Sequence, residues 1–256
     1  MNIRPLVALA LLAGAFPASA QTAAQPSVEF LPRALFHMTA EHLSGDEVRF
    51  VWDAHLGGEI DLVDFGRGRL TFLGDYQVVM GEELKKFDPN QGNYILEGSA
   101  SVRFPAVEVA GVFYHQSRHL SDRPKIQAVD WNMVGVRARH AWIAGAMHLD
   151  ARADVRGTVQ RTLVDYRWEF DGRIRADRVL RPGIGLLWSG AVRHLGVDGT
   201  RDRGGQTGFR AEAGVRFDGS AGALELFLAG ERRIDPYPLE FSTMTWLTAG
   251  FRLLSR

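Results

Sequence analysis

His115, Ser117 and His119 stand at alternate positions in the stretch Gly111 to Lys125, GVFYHQSRHLSDRPK. A serine hydroxyl is a weak nucleophile until a neighbouring imidazole takes its proton, and the imidazole needs a third group to fix its orientation and tautomer. In a β-strand, residues i and i+2 lie about 6.5 Å apart on one face, so a histidine ring can lean toward a serine hydroxyl two residues away. The same row begins with Gly111 and Phe113, which are apolar. What a row that starts apolar and ends in a base and a nucleophile can do depends on the surface it faces.

Residues 1–20 read as an export signal: Arg4 gives the positive start, Leu6 to Phe16 an apolar run, and Ala18-Ser19-Ala20 a small-residue cleavage site before Gln21. The expected division is a signal peptide at 1–20, a periplasmic N-terminal segment at 21–32 and one domain over 33–256. With no cysteine, the chain has no disulfide framework, thiolate metal site or lipoprotein acceptor. The 30 basic and 30 acidic residues balance to +0, which argues against a nucleic-acid partner and gives no strong electrostatic steering. No apolar stretch after the signal approaches 18 residues, which excludes a helical membrane protein but not a barrel.

The dominant pattern has a period of two. In 206–217 the odd positions Thr207, Phe209, Ala211, Ala213, Val215 and Phe217 alternate with Gln206, Gly208, Arg210, Glu212, Gly214 and Arg216. The same alternation runs through 147–156 and 164–177, over strands of about 10 to 15 residues, the length that a tilted strand crossing a bilayer requires. Strands are expected near 34–43, 47–65, 69–82, 93–104, 106–118, 127–140, 141–156, 162–177, 182–197, 206–217, 222–234 and 242–254. Tight joints at Gly66 to Gly68, Pro105, His140-Ala141, Arg181-Pro182 and Asp218 to Gly222 alternate with longer polar ones at Glu83 to Gln91, Leu120 to Ile126, Asp198 to Gly205 and Asp235 to Phe241. Alternating turns and loops, with an even strand count near twelve, predict an all-β, transmembrane, antiparallel up-and-down barrel of a bacterial outer membrane. The inward rows carry charges of both signs, among them Glu97, Arg137, Asp154, Arg167, Glu169, Arg210 and Glu225, which favours a lumen filled by salt bridges over a small polar pore. The tryptophans Trp52, Trp131, Trp142, Trp168, Trp188 and Trp246 read most simply as wall and girdle aromatics.

Parity then places the chemistry. In 106–118 Glu108 and Gln116 belong to the lumen, so the odd row with His115 and Ser117 faces lipid. In the next strand Arg137 and Arg139 face inward, so Val134, Val136 and the preceding Asn132 and Asp130 face outward. A hairpin centred near residue 123 or 124 sets Asn132 beside His115. Ser117 is then the candidate nucleophile, His115 the general base and Asn132 the orienting group. Polar groups on a lipid-facing wall are costly unless partnered, and the bond that a serine nucleophile breaks in a lipid is an acyl ester. His119 reads as an alternative base, a metal ligand or a rim residue. Asp122 and Asp130 are weak candidates for holding a hard cation.

The stretches YHQS (Tyr114 to Ser117) and DWN (Asp130 to Asn132) resemble outer-membrane phospholipase A. That resemblance implies base, nucleophile and orienting roles for His115, Ser117 and Asn132, a calcium requirement and a homodimer joined along the lipid face. Arg118-His119 stand where the family has Asn-Gly, so its calcium-binding residues have no clear match here. An outward His-x-Ser is also similar to that of lipid A deacylase, with a smaller barrel and a glutamate as third member. The run HQSRHLSD resembles the His-x-Ser-x-His-Leu-x-Asp stretch of an uncharacterised family of bacterial outer-membrane proteins. The expected partners are outer-membrane lipids and the barrel-assembly machinery. A non-catalytic structural barrel and a narrow porin are the alternatives.

Overall fold

The computed structural model describes residues 28–121 and 128–255. The strands are β1 (Glu29–Leu43), β2 (Trp52–Asp64), β3 (Arg69–Gly81), β4 (Asp88–Arg103), β5 (Glu108–Leu120), β6 (Val129–Ala144), β7 (Met147–Thr162), β8 (Tyr166–Arg181), β9 (Ile184–Val197), β10 (Gln206–Asp218), β11 (Gly222–Ile234) and β12 (Thr243–Ser255). Each pairs antiparallel with its neighbours in sequence, and β1 pairs with β12, with His37 opposite Leu254 and Leu43 opposite Thr248, so the sheet closes into a barrel. Closure leaves no unpaired edge, the condition under which a sheet can contact hydrocarbon. The expected export signal at 1–20 and Asp122 lie outside the described residues.

Period-two alternation becomes an inside and an outside. Phe36, Leu56, Phe113, Val136, Leu228 and Leu247 project outward and are exposed, whereas Asp53, Glu97, Asp154, Glu169 and Glu225 are buried in the lumen. Glu225 accepts from Arg175 (2.7 Å), Arg216 (2.8 Å) and Arg252 (2.7 Å). Arg137 makes two bonds of 2.6 Å to Glu97 and a third of 2.8 Å to Asp154. Glu169 takes Arg156 and Arg193. Each carboxylate thus meets several guanidinium groups across the lumen, the arrangement that offsets the desolvation of buried charge. A cavity of about 30 Å³ between Glu59, Arg69, Glu108 and Arg139 lies in this network, room for about one water molecule.

At the loop end the lumen is filled by apolar side chains. Tyr114, Val129, Trp131, Met133, Val164, Tyr166, Leu195 and Ile234 form one buried cluster, and Leu43, Phe50, Val79 and Trp246 a second. Over them the β11–β12 loop is tied down by Arg118, which donates to the carbonyls of Asp235 and Pro236 at 2.6 Å each. Arg203 bridges Asp165 (2.6 Å) and Asp235 (2.9 Å). Arg49 joins Glu47 (3.0 Å) to Glu240 (2.6 Å) and lies over the Tyr237 ring.

Three sequence expectations are corrected. The β6–β7 turn is at Gly145-Ala146 rather than His140-Ala141, because Gly145 supplies the positive φ of 61° that the reversal needs and Trp142 to Ala144 continue β6. Trp131 and Trp246 are not wall aromatics; both are on inward rows, 1% and 3% exposed, inside the two apolar clusters. Arg167 is exposed at a bulge between Tyr166 and Trp168 and does not join the lumen network.

Two measurements follow. A packed lumen predicts no single-channel steps in planar bilayers, and regular ion-conducting steps from the purified barrel would contradict it. Glu225→Ala removes the carboxylate that Arg175, Arg216 and Arg252 share and should destabilise the barrel by about 1.5–3 kcal/mol, read as a fall in the temperature at which its folded band disappears from unheated gels.

Candidate functional site

The site is on the outward face of β4–β7 near the loop end. Register sets Leu96, His115, Asn132 and Gln160 side by side, with Tyr94, Ser117, Asp130 and Thr162 one step nearer the loops. Below them Phe113, Val134 and Val136 are exposed apolar wall. His115 therefore marks a change from apolar to polar along one face.

His115 and Asn132 come together as the sequence predicts: His115 Nδ1 lies 2.7 Å from Asn132 Oδ1. An asparagine carbonyl can only accept, so His115 donates from Nδ1, and in the neutral ring the lone pair is then on Nε2. Ser117 shares the row, but its Oγ is 3.2 Å from His119 Nε2 rather than bonded to His115. The two histidines stand at i−2 and i+2 from Ser117 on the same row of the strand. His119 is held in turn by the Tyr94 ring, with centroids 5.5 Å apart at 76°, and Tyr94 packs on Tyr76 at 4.8 Å. His119 thus contacts both Ser117 and Tyr94.

The inward row beneath these residues stiffens the strand that bears them. Tyr114 Oη donates to Gln116 Oε1 at 2.8 Å, and the Arg156 guanidinium lies 4.3 Å over the Tyr114 ring. Trp131, the residue before Asn132, meets Tyr166 edge-on at 5.0 Å. His115 and Asn132 therefore sit beside inward neighbours held in the apolar plug, Tyr114 for the first and Trp131 and Met133 for the second, the kind of rigid support a catalytic constellation requires.

Two outward residues escaped the sequence reading. Asn132 Nδ2 donates to Gln160 Oε1 at 2.6 Å, and Gln160 Nε2 donates to Asp130 Oδ1 at 2.9 Å and to Thr162 Oγ1 at 3.3 Å. In β7 the outward row is odd at Ala153 and Val155, which would point Gln160 into the lumen. The pairing shifts between Asn132, opposite Gln160, and Met133, opposite Thr158. This bulge inserts Val159 and turns Gln160 outward, a re-aiming that β-bulges perform beside functional sites. The sequence signal is the loss of alternation after Arg156, at Gly157-Thr158-Val159. Tyr94 was missed because nothing marks it except its register opposite Ser117.

Of the two weak candidates for a cation, Asp130 is on β6 beside Asn132 and Asp122 lies outside the described residues. No group of three or more His, Asp or Glu side chains among the described residues is placed to hold a metal, and Asp130 is engaged by Gln160.

No protein-family model and no curated protein sequence matches this chain. Solved structures do. An outer membrane channel from Pseudomonas putida F1 is similar at a TM-score of 0.54 and 13% identity, over 93% of this chain and 99% of that one. The outer membrane phospholipase from Salmonella typhi, a dimer with bound calcium, is similar at a TM-score of 0.53 and 11% identity, over 87% of this chain and 90% of that one. The chain has the fold of bacterial outer-membrane barrels. At such identities the likeness shows the fold alone, and the two neighbours differ in what they do.

Because the chain has no cysteine, a single introduced thiol reports its own surroundings. A fluorophore on Phe113→Cys should be quenched by lipids carrying a nitroxide on the acyl chain, and one on Val112→Cys should not. The reverse order would place the His115 row in the lumen.

Proposed function

We propose that this protein is an outer-membrane lipid acyl-ester hydrolase of the phospholipase A kind. The observation that carries the reading is the 2.7 Å bond between His115 Nδ1 and Asn132 Oδ1 on the same outward face as Ser117. An oriented imidazole beside a serine is the arrangement that activates a hydroxyl for acyl transfer.

In this reading a lipid lies along the wall, its acyl chains against Phe113 and Val134 and its ester at the level of Ser117. The hydroxyl turns from His119 to His115, gives its proton to Nε2, and Oγ attacks the ester carbonyl. The tetrahedral intermediate collapses as the His115 imidazolium returns the proton to the leaving alkoxide, so the lysolipid departs and the acyl group stays on Ser117. Water, deprotonated by the same Nε2, then adds to the acyl carbonyl, and collapse releases the fatty acid as the imidazolium returns the proton to Ser117 Oγ. Asn132 keeps the ring in the required tautomer and stabilises the imidazolium without placing a net charge on the wall. Insertion by the barrel-assembly machinery, pairing of two copies along the lipid face and a calcium requirement belong to the same proposal, on the family resemblance; no step above runs through the metal.

A second assignment of the base has its own support. His119 Nε2 is the imidazole nitrogen in contact with Ser117, at 3.2 Å. Variants separate the two. Fatty-acid release from phospholipid in detergent, with and without calcium, should be abolished in Ser117→Ala and fall by about 10²–10⁴-fold in His115→Ala, the usual worth of a general base. His119→Ala should retain most activity. Loss in His119→Ala with retention in His115→Ala would transfer the role, and equal activity of wild type and Ser117→Ala would end the hydrolase reading.

A further inference from the structure

The bonds that leave Asn132 on the side away from His115 have a direction. A carboxylate accepts hydrogen bonds and does not donate them, so Gln160 must turn its NH₂ toward Asp130. Its carbonyl oxygen then faces β6 and takes the NH₂ of Asn132, at 2.6 Å. That leaves Asn132 only its own carbonyl to offer His115, at 2.7 Å. The ring must answer with an N–H on Nδ1. The hydroxyl of Thr162, opposite Asp130 in the register, accepts a second bond from the Gln160 amide at 3.3 Å.

We infer that Gln160 is a positioning residue: with Asp130 as its fixed end, it sets the Asn132 amide and through it the tautomer of His115. Without the chain, an asparagine amide can flip, presenting NH₂ to the ring and stabilising the opposite tautomer with Nε2 protonated, which cannot act as a base at that nitrogen. One flip would thus disable the site with every residue in place. The bulge at Val159 is the structural cost of this arrangement, since only the displaced alternation brings Gln160 to the outer face. Asp130 in this account is an anchor for an amide rather than a ligand for a cation. The purpose of the device rests on the hydrolase reading, but the tautomer itself does not.

The test is therefore spectroscopic first. Wild-type protein labelled with ¹⁵N-histidine, folded in detergent micelles at a pH where the ring is neutral, should show His115 as the Nδ1–H form, its signals assigned by their loss in His115→Asn. Gln160→Ala should give a mixture or the Nε2–H form while keeping the folded gel mobility, and Asp130→Asn should introduce a second population. In the hydrolysis assay Gln160→Ala should lower kcat about 10-fold or more with KM little changed. His115 in the Nε2–H form in wild type, or a His115 spectrum unchanged in both variants, would overturn the inference. Should wild type release no fatty acid while the tautomer responds as expected, the positioning role stands and the hydrolase reading falls.

Discussion

Every backbone amide on a wall that meets hydrocarbon has to be paired within the protein, and this constraint shapes the rest of the molecule. It requires the sheet to close, here by the pairing of β1 with β12. Closure forces every strand to divide its side chains between lipid and lumen with a period of two. A twelve-stranded barrel leaves an interior too wide for backbone packing alone, and this chain fills it with arginines matched to carboxylates at the turn end and with aromatic and aliphatic side chains at the loop end.

That filling makes the outer face precise. His115 and Ser117 alternate with Tyr114, Gln116 and Arg118, each of which is pinned in the lumen by a hydrogen bond or a cation–π contact. Asn132 is flanked by Trp131 and Met133, both essentially inaccessible. A polar cluster on a loosely held wall would pay the entropy of its own ordering. Here the order is imposed from the inside, and the outer hydrogen bonds from His115 to Asp130 form on a scaffold already rigid. The filled lumen and the outward cluster are in this sense one design.

Much of this was legible in the residues. Alternation across twelve strands foretold the closed antiparallel barrel, and parity in two neighbouring strands put His115, Ser117 and Asn132 outside and in register. What escaped has physical reasons. The β6–β7 turn is hidden because Ala144-Gly145-Ala146 carries no polar signal, only the glycine's freedom of φ. Trp131 and Trp246 fit an aromatic girdle by composition, and only the inward parity of their positions sets them in the plug. Gln160 is invisible to parity because a bulge reverses it. The contact of Ser117 with His119 rather than His115 is a choice between two equivalent neighbours at i±2, which spacing cannot decide.

The central claim is that Ser117 is an activated nucleophile open to the bilayer. A fluorophosphonate bearing a long alkyl chain, incubated with the folded protein in detergent, tests it without any assumption about the natural lipid. Tryptic cleavage isolates Phe104 to Arg118, in which Ser117 is the sole hydroxyl besides Tyr114. The account predicts a stoichiometric phosphonyl adduct on Ser117, slowed severalfold or more in Asn132→Ala and absent in His115→Ala. No adduct on that peptide, or labelling of Ser117 at the wild-type rate in the folded His115→Ala protein or in the heat-unfolded chain, would contradict it.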